Sequence, residues 1–167
     1  MAAWEPTADE PVGPKEMLGR RIFTDKIWEG SIGDAPTRFR VDHFYDSDPQ
    51  HDFSVDRLGR ASEEGIVVRQ ISRKAYAEGD ARKPALPFAG WAACGRHHFA
   101  TARCNFEIKP MPLADENNPY HAEIVRDEFR TRNGPYAFAT MMRDVFSLHG
   151  HLREALNRPK PKKDDKL

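Results

Sequence analysis

Residues 99–125 decide the fold of this chain, and they open on the strand-like segment Phe-Ala-Thr-Ala-Arg-Cys-Asn-Phe-Glu-Ile at positions 99–108. Its small and apolar side chains fall on one side and its polar ones on the other, because successive residues of a strand point to opposite faces. The segment Pro-Tyr-His-Ala-Glu-Ile-Val at positions 119–125 alternates in the same way. The two segments predict an antiparallel pair of half-buried strands, with these residues buried: Ala100, Cys104, Phe106, Tyr120 and Ile124.

His121 and Glu123 share one face of the second strand, at the mouth of the predicted hairpin. A carboxylate beside an imidazole orients it and favours its protonated form, which suits general acid–base chemistry near neutral pH. Arg40 or Arg57 would supply a cation for a developing anion if the strands were neighbours. The alternative is a polar pair on a solvated sheet face, where cross-strand polar pairs are common. The candidate catalytic set therefore has four members: His121, Glu123, Arg40 and Arg57.

The first half of the chain carries shorter signals. Residues 37–44 alternate like a strand, residues 53–57 form a short extended piece, and residues 21–28 are typical of either a short helix or a strand. Ser62 and the acidic residues after it indicate the start of a helix that would end at Gly79. Dense β-branched residues at positions 66–71 keep a strand open as the alternative.

The clearest helix signal lies near the C-terminus. The pair Gly134-Pro135 places a proline in the first turn, where its missing N–H costs nothing. Apolar residues then recur every three or four positions towards Leu156, with Gly150 as a weak point in the middle. This stripe is predicted to pack against the sheet through five residues: Phe138, Met141, Val145, Leu148 and Leu152.

Three further apolar residues are candidates for contact with a protein partner. Met142 lies in the helical stripe, and Phe146 together with Tyr136 extends it sideways. Methionine and aromatic side chains are favoured at adaptable interfaces, and the alternative is that the stripe packs only in the core. Trp4 lies in an N-terminal segment that is too poor in apolar residues to fold alone, so it is an anchor that a partner would cover. The sequence therefore predicts these three residues as an interface.

The two ends of the chain differ from its middle. Residues 1–20 hold prolines among acidic side chains and residues 158–167 are highly charged, so both are predicted to be mobile arms. Residues 21–157 are long enough for one domain and too short for two. Helix and hairpin signals without a βαβ rhythm predict an α+β domain, in which a mostly antiparallel sheet packs against a long C-terminal helix.

Charge and hydropathy restrict the classes of function that we expect for this protein. Lys plus Arg and Asp plus Glu both number 26, so the formal net charge is zero, whereas nucleic-acid binders show a basic excess. No apolar run approaches the ~20 residues that span a bilayer, and the N-terminus lacks the apolar core of a secretory signal. We therefore expect a cytoplasmic protein with a protein partner, and with neither a nucleic acid nor a membrane as its main ligand.

A cluster of cysteines and histidines raises the question of a metal site. Cys94-x-x-His97-His98 together with Cys104 provides the ligand types of a tetrahedral zinc site. Core packing accounts for Cys104, however, and a turn between strands accounts for the two histidines. The spacing also differs from the double pairs of zinc-binding motifs. We therefore predict no metal and no cofactor.

The motifs of the common nucleotide-binding and hydrolase classes are missing from the sequence. The leading hypothesis is a small cytoplasmic protein-binding or accessory module that acts within a protein complex. The alternative is a metal-independent, His-dependent hydrolase or RNase that uses His121 and Glu123 with Arg40 or Arg57. Such an enzyme needs only a base, an acid and a cation.

Overall fold

The computed structural model describes residues 10–23, 26–30, 38–46, 52–59, 68, 88–101, 105–112 and 120–154. The strands and the long helix in these ranges are β1 (Met17–Ile22), β2 (Trp28–Glu29), β3 (Arg38–Phe39), β4 (Phe53–Gly59), β5 (Gly90–Gly95), β6 (Ile108–Pro110), β7 (His121–Ile124), α1 (Gly134–His149) and β8 (His151–Glu154). Short 3-10 helices lie at Val41–Phe44, Arg96–Phe99 and Asp127–Phe129.

Six of these strands form one antiparallel sheet in the order β6-β7-β4-β1-β5-β8. β1 lies inside the sheet, where Leu18 pairs with Arg57 of β4 and with Cys94 of β5. β2 and β3 form a separate antiparallel ribbon. One face of the large sheet shares a continuous apolar core with α1. The predicted α+β class, with an antiparallel sheet against a C-terminal helix, is confirmed.

The core between the sheet and α1 is built largely from phenylalanine rings. The ring centroid of Phe146 lies 5.2 Å from that of Phe44 and 5.3 Å from that of Phe99. The ring of Phe138 lies 5.2 Å from that of Phe53. Aromatic pairs at such distances contribute about 0.5–1.5 kcal/mol each beyond the burial of their area. These ring contacts set which side of α1 faces the sheet.

The opposite face of the sheet carries a second apolar cluster. Trp91 is fully buried in it and meets the ring of Phe88 edge-on at 4.9 Å. Leu58, Tyr120 and Val68 belong to the same cluster. Val68 is the described residue of the segment predicted as a helix from Ser62 to Gly79, and the rest of that segment lies outside the described residues.

The domain begins earlier than predicted. Residues 17–20, which the sequence assigns to a mobile arm, belong to β1, and Leu18 is fully buried. Consecutive arginines at positions 20 and 21 interrupt the alternation of apolar and polar residues. The sequence therefore does not show the one apolar face that is typical of a half-buried strand. The remaining arm segments, residues 1–9 and 158–167, lie outside the described residues, and their mobility stays a prediction.

The predicted strand at residues 99–108 is wrong at the described positions before Ile108. Phe99 ends a 3-10 helix, and Ala100 forms an isolated antiparallel bridge with Asn105. The N–H of Phe106 donates to the carbonyl of Phe99 at 2.8 Å beside this bridge. Phe99 packs on the rings of the core, which overrides the alternation, and Ala100 is left exposed. Phe106 is half-buried, and Cys104 lies outside the described residues.

The pairing of the two predicted strands survives at the end of this segment. β6 begins at Ile108 and pairs with β7 in antiparallel register, as predicted. Tyr120 and Ile124 are buried, also as predicted. The segment 37–44 is a strand only at β3, because the chain then coils into a 3-10 helix that carries Phe44 into the core.

α1 ends at His149, before the predicted end at Leu156. Gly150 adopts an extended conformation, and its N–H donates to the carbonyl of Phe146 at 3.0 Å. A Cβ atom at Gly150 would collide with the carbonyl oxygen of Ala93, because the chain passes close to β5 at this point. The glycine therefore allows the chain to leave the helix and return as β8.

The rotation of α1 also differs from the prediction. Phe138 is fully buried, as predicted, but Met141 and Val145 are only half-buried. Leu148 is 78% exposed, so its predicted burial is wrong. Leu152 lies in β8 and is half-buried there.

Candidate functional site

His121 and Glu123 lie on β7, on the sheet face opposite α1. His121 is directly opposite Asp56 of β4, and Glu123 is opposite Ser54. The imidazole of His121 is buried, and its Nδ1 lies 2.7 Å from the carbonyl oxygen of Met111. The N–H of Met111 in turn donates to the carbonyl of His121 at 3.0 Å. The contact of His121 Nδ1 with Met111 therefore holds the chain at the point where it leaves β6.

Asp56 is the centre of a buried polar cluster on the same face. Its carboxylate accepts bonds from Nε of Arg21 at 2.6 Å, Nη2 of Arg21 at 3.0 Å and the indole N–H of Trp91 at 2.9 Å. A Cβ atom at Gly19 would lie 2.7 Å from the Trp91 ring, so this glycine makes room for the indole. The cluster joins β1, β4 and β5, and its contacts are those of a satisfied structural ion pair.

Sequence reasoning missed this cluster. The alternation of residues 53–57 places Asp56 on the polar side of its strand, which is the one local signal. Asp56 meets its partners because of the strand register and because Gly19 leaves space for the indole. Local sequence patterns reveal neither feature, since the residues involved lie far apart in the chain.

Arg57 does not join His121. Consecutive residues of a strand point to opposite faces, so Arg57 points away from the face that carries Asp56 and His121. Its Nε and Nη2 donate to the carboxylate of Glu16 at 2.7 and 2.8 Å, and its Nη1 donates to the carbonyl of Glu10 at 2.8 Å. Arg57 is 1% exposed and Glu16 is 3% exposed. The guanidinium thus anchors the segment that precedes β1.

Arg40 is also remote from the predicted catalytic pair. It lies between β3 and the 3-10 helix Val41–Phe44, where its Nη2 meets the carboxylate of Asp42 at 3.1 Å. The structure therefore brings His121 and Glu123 together on one strand, with Arg40 and Arg57 each paired elsewhere.

The interface prediction is corrected at two positions. Met142 and Phe146 are fully buried in the core, so their side chains present no surface to a partner. Trp4 lies outside the described residues. The helix is apolar at these positions because they face the sheet.

A second apolar stripe lies on the outer side of α1. Ala137, Met141, Val145 and Leu148 follow the spacing i, i+4, i+8 and i+11, which puts them on one face of a helix. Met141 and Val145 touch the core with part of their surface, whereas Leu148 is 78% exposed. We call these four residues the outer stripe. The outer stripe lies beside the buried face of the helix, and its two ends, Ala137 and Leu148, are exposed.

The other flank of α1 is covered by the β2–β3 ribbon. Nη1 of Arg143 lies 3.1 Å from the Glu29 carboxylate, and the hydroxyl of Ser147 accepts the N–H of Phe39 at 3.0 Å. Trp28 stacks on Phe39 with a centroid distance of 4.5 Å. Polar contacts therefore hold the ribbon against this flank of the helix.

The predicted cysteine and histidine cluster takes another form. Cys94 is buried in the core, and the rings of His97 and His98 lie 3.9 Å apart. The ring of His98 also stacks on that of His149 at 4.3 Å, with only 6° between the planes. Within the described ranges, no three His, Cys, Asp or Glu side chains are arranged to hold a metal ion.

Among the described residues, no helix has both the length and the apolar character needed to cross a bilayer. The chain matches no family model, no curated protein and no solved structure. The candidate sites therefore rest on the contacts within the structure. They are the outer stripe of α1 and the polar face around His121.

Proposed function

We propose that this protein is a small cytoplasmic binding module that acts within a protein complex and docks through the outer stripe of α1. The observation that carries the proposal is Leu148, which is 78% exposed at the end of a helical stripe of four apolar residues. A single exposed leucine is ordinary, but a helical row of apolar residues that reaches the surface at both ends favours an interaction site.

The spacing of the outer stripe suits an apolar groove or an amphipathic helix of a partner protein. Two helices pack by fitting ridges at intervals of three and four residues into each other's grooves, and the stripe from Ala137 to Leu148 forms such a ridge. Met141 adds an adaptable side chain at its middle. Asp144 is exposed beside the stripe and would lie at the polar rim of the interface.

A protein is favoured over a nucleic acid as the partner. The formal net charge is zero, so the chain lacks the basic excess that phosphate recognition requires. The stripe itself is uncharged.

The hydrolase hypothesis keeps weaker support. His121 and Glu123 share a face with Asp56, but the two arginines proposed to stabilise an anion are paired with Glu16 and Asp42. RNA hydrolysis by the purified protein, abolished by His121→Gln, would restore this hypothesis.

Site-specific photo-crosslinking in the native cell tests the binding proposal. A photoreactive amino acid at position 148 is compared with one at position 136, because Tyr136 is 62% exposed but lies on the flank that holds Arg143 and Ser147. We expect a discrete protein adduct of defined mass from position 148 and a much weaker one from position 136. Equal labelling from both positions, or none from position 148, would overturn the proposal.

A further inference from the structure

Three histidine rings lie together where α1 meets the 3-10 helix Arg96–Phe99, and we call them the stack. The ring of His98 lies 3.9 Å from that of His97, with 40° between the planes, and 4.3 Å from that of His149, with 6° between the planes. His149 is the last residue of α1. The stack therefore joins side chains of two elements, and His98 and His149 are 51 residues apart in the chain.

The core positions this stack. Phe99, the residue after His98, packs on Phe146 of α1 at 5.3 Å and brings the 3-10 helix against the end of α1. A Cβ atom at Gly95 would lie 2.7 Å from the His97 ring, so the glycine leaves room for that ring. In the core, the rings of Phe99 and Phe146 join the 3-10 helix to α1. At the surface, the imidazoles of the stack join the same two elements.

The stack favours uncharged rings. Desolvation lowers the pKa of His98, and the neighbouring rings of His97 and His149 lower it further. Two positive charges about 4 Å apart repel each other, and stacked neutral rings attract. Protonation of His98 would therefore place a charge beside the rings of His97 and His149.

In the part of the chain that the structure describes, the two charged neighbours that shift the pKa of His98 are His97 and His149, and both lower it. Arg96 lies in the same 3-10 helix, and His151 begins β8 next to the end of α1. Arg96 adds a permanent positive charge there. The acidic group of the adjoining segment is Glu16, whose backbone carbonyl accepts the N–H of Arg96 but whose carboxylate is bound to Arg57.

We propose that the His97–His98–His149 stack is a pH-sensitive latch, which holds the C-terminal turn of α1 against the 3-10 helix at neutral pH and releases it in mildly acidic solution. The latch does not depend on the proposed binding function. It would, however, change the position of the helix end that carries Leu148, and it would therefore make that surface responsive to acid.

The amide of Gly150 is a direct reporter of the latch, because it donates to the carbonyl of Phe146 and closes the last turn of α1. Its hydrogen-exchange protection factor, which is corrected for the intrinsic effect of pH, can be measured by NMR at pH 7 and pH 5. We expect about a tenfold loss of protection at pH 5 in the wild-type protein, since the latch opens by local unfolding.

The variant His98→Phe keeps a ring in the stack and cannot be protonated. We expect its Gly150 amide to stay equally protected at both pH values, and His98→Leu serves as a second non-titrating variant. His151→Gln is the matched control and should keep the loss seen in the wild type. An unchanged protection factor in the wild-type protein, or the full loss in both His98 variants, would overturn the proposal.

Discussion

The two apolar sides of α1 look alike in the sequence and differ completely in the structure. Phe138, Met142 and Phe146 are fully buried against the sheet, whereas the outer stripe ends in Leu148 at 78% exposure. Both sets recur every three or four residues, so helical spacing alone cannot distinguish them. The difference shows that the apolar residues of α1 cover a wider arc of the helix than the arc that packs against the sheet. The buried side holds the fold, and we propose that the outer side holds a partner.

The arginines show a similar contrast. Arg57 is buried in a paired contact with Glu16, whereas Arg40 is 40% exposed beside Asp42. Residue type therefore predicts neither burial nor role, and each position has to be tested for its effect on folding.

The largest effect is expected on the buried side of α1. Phe146→Ala removes a ring that contacts Phe44 and Phe99, and leaves a cavity that the packed neighbours cannot fill. We expect a loss of about 3–5 kcal/mol in the free energy of unfolding, measured by urea denaturation. A loss below about 1 kcal/mol would mean that this side of the helix is not the core side.

The buried ion pair should give the next largest effect. Glu16→Gln leaves the guanidinium of Arg57 buried without its counter-charge, at a cost of about 3 kcal/mol in unfolding free energy. Arg40→Ala is the matched control at an exposed pair, for which we expect less than about 1 kcal/mol. Equal losses in the two variants would remove the distinction between the two arginines.

Acid should lower the stability of the fold through the buried side chain of His43. Burial lowers the pKa of His43, although the hydrogen bond between its Nε2 and the carbonyl of Ile27 at 2.8 Å acts in the opposite direction. The unfolded chain then binds more protons than the folded one. The contribution of His43 is therefore complete above about pH 6.5, and it is lost as the pH falls from there towards the lower pKa of the folded state.

The variant His43→Gln tests this dependence, because glutamine can donate to Ile27 and does not titrate. We expect its Tm to fall less than the wild-type Tm between pH 7.5 and pH 5, with His151→Gln as an exposed control that behaves like the wild type. Identical slopes in all three proteins would contradict the assignment.

The smallest effect on stability is expected on the outer stripe. Leu148→Ala removes side-chain atoms that are already in water, so its free energy of unfolding should stay within about 0.5 kcal/mol of the wild-type value. A loss of 2 kcal/mol or more, the range of a buried leucine, would place Leu148 in the core.

The sequence predicted the parts of the fold that depend on local rules. The start of α1 at Gly134-Pro135 follows from proline geometry, and β7 follows from a short clean alternation. β1 was missed, because Arg20 and Arg21 interrupt its pattern and their contacts lie on other strands. The end of α1 was missed, because Gly150 acts through its closeness to Ala93 of β5.

The candidate site was predictable only in part. The sequence identified His121 and Glu123 as neighbours on one face, but the ion pairs of the two arginines depend on tertiary contacts. The choice of which helical stripe is buried depends on the rings of Phe44 and Phe99, which lie far from α1 in the chain. Helical periodicity gives no information about these rings.

The central claim is that the outer stripe of α1 binds a partner, and the most direct test compares the wild-type protein with Leu148→Ser in native cell extracts by size-exclusion chromatography. Serine removes the most exposed apolar group without touching the core. We predict that the wild-type protein elutes in a larger complex, and that the variant elutes as a free monomer with an unchanged Tm. Co-elution of the variant with the same complex, or a wild-type protein that elutes as a monomer, would contradict the claim.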